Sequence, residues 1–272
     1  MRNIRITLSY EGTNYGGFQR QENNITLQEI IEDAIYKVTN EKSTLYFVAR
    51  TDAGVHAYGQ ECTFFTGSSI PGDRFIFPLN QILPGDIRVI QSREVAPDFS
   101  VRKRNYGKTY GYLFTEDEDI SPFLKRYVWT AGRTLDIKKM KKAAGYLEGR
   151  HDFTSFRGNN SVPANPVRLL QDIRLIKKDG LFHLFVTGEG FLYHMVRNIA
   201  GALVDAGRGK INPDDIPGIL EARDRRRLGI TAPAHGLCLL KVYFRPVTKE
   251  DIETTVHNAY VLCTLIFGQE VI

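Results

Sequence analysis

Apolar and polar residues alternate at the start of the chain. Ile4, Ile6 and Leu8 fall on one side and Arg5, Thr7 and Ser9 on the other, which predicts a strand. Tyr10–Gln21 is rich in glycine and aromatics and reads as an ordered loop. The period then changes to that of a helix: Leu27, Ile30, Ile31, Ala34, Ile35 and Val38 form one stripe, opened by Thr26-x-x-Glu29 in the form of a capping box. Strands are expected over Thr44–Val48 and Gln60–Thr66, a turn over Ser68–Gly72, and a short helix broken near Pro78 over Phe75–Leu83. Ile87–Val95 returns as a strand. This β-α-β-β-α-β outline suits an antiparallel or mixed sheet with helices on one face.

The second half repeats the alternation loosely. Lys108–Phe114 reads as a strand, Asp117–Asp119 as an acidic turn, and Asp136 as the cap of a helix over Ile137–Leu147. Ser155–Pro166 is a long Asn/Gly/Pro-rich loop. Val167–Lys177 and Leu181–Thr187 predict a hairpin around Lys178-Asp179-Gly180. Helices are expected over Phe191–Ala206 and Asp214–Arg223, and a strand over Leu237–Phe244. A tail follows Arg245. Thr248 and Asp251 can cap a last helix whose stripe (Ile252, Val256, Ala259, Tyr260, Cys263) packs either on its own subunit or on a second copy. The expected class is α+β: two α/β subdomains (1–105 and 106–245) with mixed, largely antiparallel sheets, and an appended helix (246–272).

Composition changes the picture little. With 272 residues and 42% apolar content the chain can bury a sizeable core. Its net charge of +5 is compatible with a polyanionic partner. The three cysteines, Cys62, Cys238 and Cys263, are far apart and show no metal-ligand spacing, so neither a disulfide framework nor a zinc site is suggested and a reducing cytoplasm fits. The N-terminus reads as a strand and not as a signal sequence, and no apolar run approaches membrane-spanning length.

The chemistry concentrates in Ala49–Ala57, where Arg50, Asp52 and His56 sit between two apolar runs and Gly54 permits a sharp turn. An aspartate after a strand often only caps a turn. Asp52 and His56 are too few to bind a metal, no nucleophile elbow is present, and neither Gly207-Arg208-Gly209-Lys210 nor Gly188-Glu189-Gly190 has the spacing of a phosphate loop. That leaves a carboxylate acting alone as nucleophile or base. Shielded from water, it stays ionised only beside a cation. Arg197, on an otherwise apolar helix among Met195, Val196 and Ile199, is such a cation, or else a structural or solvent-facing arginine. Tyr110 and Tyr112 share one strand face and can stack on a base or pack in the core. Basic runs at Arg102–Arg104, Lys138–Lys142 and Arg225–Arg227 together favour a phosphate track.

Four segments resemble the TruA-type tRNA pseudouridine synthases: Tyr10–Gln21, Arg50–Ala57, Lys108–Tyr112 and Gly190–Asn198. His151–Phe156 and Thr231–Leu237 are similar as well. The resemblance implies a pseudouridine synthase fold with a central RNA-binding cleft, and conversion of uridine to pseudouridine at positions 38 to 40 of the tRNA anticodon stem–loop, by base flipping. It implies that Asp52 is the essential carboxylate, that Arg197 pairs with it and that Tyr110 packs against the target base, with Arg50, Arg20 and His56 binding substrate. It further implies a homodimer that needs no metal or cofactor. The alternative is an RNA-binding protein of the same fold without activity. Ala49 stands where the family usually has Gly, Gly111 replaces a usual Arg, Arg168-Leu169 replaces a usual Arg-Thr pair, and the tail helix lies outside the common core.

Overall fold

The computed structural model describes residues 1–132, 134–158 and 165–267. In chain order the elements are β1 (Arg2–Tyr10), α1 (Leu27–Thr39), β2 (Tyr46–Phe47), β3 (His56–Thr66), α2 (Ile76–Ile82), β4 (Ile87–Val95), β5 (Gly107–Thr115), β6 (Trp129–Thr130), α3 (Ile137–Gly145), β7 (Gly149–Asp152), β8 (Val167–Lys178), β9 (Leu181–Gly188), α4 (Met195–Gly207), α5 (Ile216–Ala222), β10 (Leu237–Tyr243) and α6 (Lys249–Phe267). The class is α+β. The chain forms two compact units, one of Met1–Tyr106 with Cys238–Pro246, the other of Gly107–Leu237 with the segment from Val247 onward. No helix among the described residues is long and apolar enough to cross a membrane.

In the first unit the strand order is β4-β1-β3-β10. β1 lies antiparallel to β3 and β4, β2 pairs antiparallel with β3, and β10 runs parallel to β3 with Cys238 opposite His56. The polar side of β1 is buried like the apolar one. Arg5 Nε donates to Glu61 Oε2 at 2.7 Å, Thr7 donates to the other carboxylate oxygen at 2.9 Å, and the Phe244 ring lies 3.9 Å from the guanidinium carbon. A buried charge is tolerated when it is paired and hydrogen-bonded, and this one is.

Three expectations for local structure are corrected here. Thr26 stands at the N-cap of α1, but its hydroxyl makes no capping bond. The first free N–H groups of the helix, those of Leu27 and Gln28, donate instead to the carbonyls of Gly17 and Phe18 at 3.2 and 2.9 Å. Pro78 does not break α2, because it falls in the first turn, where a helical N–H has no partner to lose. β3 begins at His56 and not at Gln60, so His56 belongs to a strand and not to the loop.

In the second unit the order is β5-β9-β8-β7, all antiparallel, with β6 parallel to β5. The β8–β9 hairpin closes through Asp179 and Gly180, at φ 50° and 74°, as a turn whose twist matches that of the strands. Asp136 caps α3 by accepting from the Lys138 and Lys139 amides. α4 starts at Met195 and not at Phe191, because His194 adopts a left-handed φ of 61° and the residues before it form a turn. The expected loop at Ser155–Pro166 begins with a short 3-10 turn (Thr154–Phe156), and its part over 159–164 lies outside the described residues.

α6 belongs to this unit. Thr248 and Asp251 cap it reciprocally: the Thr248 amide donates to the Asp251 carboxylate at 3.1 Å, and the Asp251 amide donates to the Thr248 hydroxyl at 3.2 Å. Ile252, Val256 and Ala259 are buried, and the Tyr260 ring lies 4.7 Å from His183 and 5.7 Å from Phe185 on β9. The stripe therefore packs on its own chain. His183 is sealed beneath it with no hydrogen-bond partner for Nδ1 among the described residues.

Burial draws the His183 imidazole down from 6.5 to about 4. The unfolded chain takes up this proton well before the folded one does. The neutral ring thus contributes stability that is complete above pH 6.5 and is lost as pH falls towards about 4. Between neutral pH and pH 4, the unfolding free energy of the wild type should fall about 3 kcal/mol further than that of His183→Phe. Denaturant titrations giving parallel pH curves for the two proteins would contradict this.

Candidate active site

The turn carrying Asp52 lies between β2 and β3 and is held by backbone groups together with a few buried side chains. Gln60, fully buried on β3, donates to the Ala49 carbonyl at 2.6 Å and accepts from the Ala49 amide at 3.1 Å. The Val48 amide donates to the Glu61 carbonyl at 3.1 Å. At the tip, the Val55 amide closes the turn on the Asp52 carbonyl at 3.1 Å, with Gly54 at φ 77°.

Behind this turn runs the glycine-rich segment read from the sequence as an ordered loop. The Phe18 amide donates to the Thr51 carbonyl at 3.0 Å, and the Tyr10 and Thr51 hydroxyls meet at 2.7 Å. Two glycines make the approach sterically feasible. A Cβ on Gly12 would lie 2.0 Å from the Val55 oxygen, and one on Gly17, at φ 102°, would lie 2.9 Å from the Thr51 oxygen. The segment is tied in turn to α1 through Leu27 and Gln28, and to the start of β4 through the Tyr15 hydroxyl, which donates to Asp86 at 2.5 Å.

Within this frame Asp52 is half-buried and Arg50 is exposed. His56 is buried. Its Nδ1 accepts from the Gly12 amide at 3.0 Å and lies 3.4 Å from a Glu11 carboxylate oxygen, so the ring ties the glycine-rich segment to β3. Arg20 lies at the surface with its guanidinium 2.9 Å from Glu32 and 3.6 Å from Glu29, both on α1.

The second unit carries Tyr110 and Arg197. Tyr110, Tyr112 and Phe114 are buried on one face of β5. The Tyr110 ring meets Phe191 edge-on at 5.1 Å, and the Tyr112 hydroxyl donates to the Pro233 carbonyl at 2.7 Å. Burial pushes the Tyr112 phenol well above its ordinary value, which keeps it a neutral donor. Arg197, in the first turn of α4, donates through Nε to the Ala232 carbonyl at 2.8 Å, and the Ala232 amide returns a bond to the Arg197 carbonyl at 3.1 Å.

Beside it, Asn198 is fully buried. It donates to the Phe156 carbonyl at 2.8 Å and accepts from Thr231 at 2.6 Å and Arg225 at 3.1 Å. Gln60 and Asn198 were not evident as site residues from the sequence: Asn198 shows as a polar residue beside Arg197 on an otherwise apolar helix, whereas Gln60, between Gly59 and Glu61, carries no such signal. The basic run at Arg225–Arg227 is not uniform. Arg225 turns inward to the Leu228 and Gly229 carbonyls and to Thr231, while Arg226 pairs with Asp224 at 2.8 Å. Among the described residues no group of three or more His, Cys, Asp or Glu side chains is arranged to hold a metal ion.

A family model described as tRNA pseudouridine synthase matches residues 6–102 and 143–245. The chain is 45% identical over 244 residues to a protein of Acetivibrio thermocellus named tRNA pseudouridine synthase A, covering 90% of this chain and 100% of that one. It is 42% identical over 245 residues to a protein of the same name from Ruminiclostridium cellulolyticum, with the same coverage. Among solved structures, an archaeal box H/ACA Nop10–Cbf5 complex matches 88% of this chain and 47% of that one, at 10% identity and a TM-score of 0.40, a likeness too low to add to what the sequence relatives show.

Gly12→Ala should lower the unfolding free energy by about 2 kcal/mol or more, because the added methyl must push the Val55 carbonyl away. Thr13→Ala, on the exposed side of the same segment, should stay within about 0.5 kcal/mol of wild type. Equal stability of the two variants in chemical denaturation would contradict the close packing described.

Proposed function

The chain belongs to the tRNA pseudouridine synthase family and is an isomerase acting on tRNA; we propose that it rebuilds uridines at positions 38 to 40 of the anticodon stem–loop, with Asp52 as the reacting carboxylate. The observation that carries this reading is the extent of the likeness. It runs the full length of the relatives and, in the family model, includes both the Asp52 turn and the start of α4.

The reaction needs little equipment. The bond from N1 to C1′ breaks, a bond from C5 to C1′ forms, the C5 proton leaves and N1 ends protonated. Substrate and product have the same atoms, so the balance requires no oxidant and no phosphoryl donor. The base must first leave its stack, as for other enzymes that work on paired bases. Asp52 then attacks C6 of the uracil or C1′ of the ribose, or assists departure of the base; all three use an ionised carboxylate held in one direction. The backbone-braced turn supports that role, since a side chain aimed by a rigid frame loses little freedom on binding.

Arg197 provides the opposing charge that a shielded carboxylate needs, with its Nε fixed on the Ala232 carbonyl. Tyr110 holds the loosened base by stacking, with Phe191 bracing the ring edge-on. Arg50, exposed beside Asp52, fills the stack near the extruded nucleotide. Arg20 and His56 contribute as the frame of the site: the first is held by two carboxylates of α1, the second is buried behind the turn.

Incubation with an unmodified tRNA bearing uridines at 38 to 40, followed by mapping, should find pseudouridine there and nowhere else in the anticodon arm. Asp52→Asn should lose about a thousandfold or more in single-turnover rate while binding tRNA within about threefold of wild type. An active Asp52→Asn enzyme, or pseudouridine formed only outside the anticodon arm, would overturn the reading.

A further inference from the structure

Several cations of the second unit already have protein partners. Lys142 pairs with Asp214 at 2.7 Å, Lys177 with Glu116 at 2.6 Å, Arg226 with Asp224 at 2.8 Å, and Arg174 with Asp172 at 3.0 Å. Lys108 and Arg168 differ. Lys108 is half-buried on β5 and makes no hydrogen bond or ion pair among the described residues. Arg168 is half-buried on β8, and among the described residues its guanidinium donates only to carbonyls of its own segment, those of Asn165 at 2.8 Å and Val167 at 2.7 Å.

Lys108 pairs with Gly188 and Gly188 with Leu170, two residues beyond Arg168, so the strand register puts Lys108 and Arg168 on one face of the sheet. Burial, and after it the Arg168 charge, brings the lysine down to about 8. No carboxylate of the described residues acts on it in the opposite sense. Two half-buried cations on one sheet face, neither paired with a carboxylate of the described residues, are a costly arrangement that a bound anion would relieve.

Their position gives the anion an identity. Lys108 is two residues before Tyr110 on β5, so both side chains leave the strand on the same face. The residue paired with Lys108 across the sheet is Gly188, which presents backbone only. From Gly188 the chain leads directly to Phe191, whose ring braces Tyr110. We propose that Lys108 and Arg168 form a phosphate site, which takes the phosphodiester next to the nucleotide stacked on Tyr110. The site rests on the tRNA reading above. It is a point of register: it fixes the backbone beside the reacting nucleotide and reads no base.

The test compares wild type, Lys108→Gln and Lys108→Arg in equilibrium binding to a product tRNA, on which no further chemistry runs, across a range of salt concentrations. Lys108→Gln should bind about five- to tenfold more weakly, with a log–log salt slope shallower by about one. Lys108→Arg should recover most of the affinity, because it keeps the charge. In turnover, Lys108→Gln should raise KM and leave kcat within about twofold. Its melting temperature should equal or exceed that of wild type, since an unpaired half-buried charge is removed. A Lys108→Gln protein with wild-type affinity and slope, equal losses in both variants, or a clear drop in melting temperature would overturn the site. A wild-type protein that neither binds tRNA nor forms pseudouridine would overturn the tRNA reading instead, so the two failures are distinguishable.

Discussion

The turn at Asp52 is approached backbone to backbone. Gly12 and Gly17 let the 10–21 segment press its backbone against the backbone of residues 51–55, and Gln60 hydrogen-bonds both polar groups of Ala49 from the opposite strand. Atoms so close leave the turn almost no room to shift. Everything proposed for Asp52 depends on this constraint, because a carboxylate that reacts from one direction must not be able to choose another. The same segment also replaces the side-chain cap of α1 with its own carbonyls, so helix, turn and sheet of the first unit meet through one stretch of chain.

The second unit achieves a comparable fixation with side chains. Asn198 joins Phe156, Thr231 and Arg225, while Arg197 and Ala232 exchange two bonds. The start of α4 is thereby tied to the 225–232 segment at several points, and an arginine in its first turn cannot drift. Neutral groups and backbone do most of the holding in both units. The buried Arg5–Glu61 pair shows what an ion pair with a structural role looks like in this chain.

Much of this was legible from periodicity. β1, β4, β5, the β8–β9 hairpin, α1, α3 and the tail helix follow from patterns of two or of 3.6 residues, and Asp136 and Thr248 act as the caps their positions suggest. The misses have physical causes. Thr26 has the sequence of a capping box, yet a loop distant from the helix in the pattern satisfies the amides first. Pro78 signals a break only if it falls in the interior of a helix, and its place in the first turn depends on where the helix starts. His194 takes a left-handed angle, which delays α4. In the site, the charged residues stood out, but the polar residues that hold them, Gln60 and Asn198, did not: their partners are backbone groups or residues far along the chain, visible only in three dimensions. The tail helix was ambiguous between its own subunit and a second copy until Tyr260 was seen against His183 and Phe185.

We propose that Asp52 and Arg197 act as one unit, and a double-mutant cycle tests this most directly. Single-turnover pseudouridine formation is measured for wild type, Asp52→Asn, Arg197→Ala and the double variant, with tRNA affinity checked for each. If the two side chains are one device, Arg197→Ala alone costs about a hundredfold or more, and adding it to Asp52→Asn costs almost nothing further. Losses that multiply in the double variant, or an Arg197→Ala enzyme of near wild-type rate, would contradict the account.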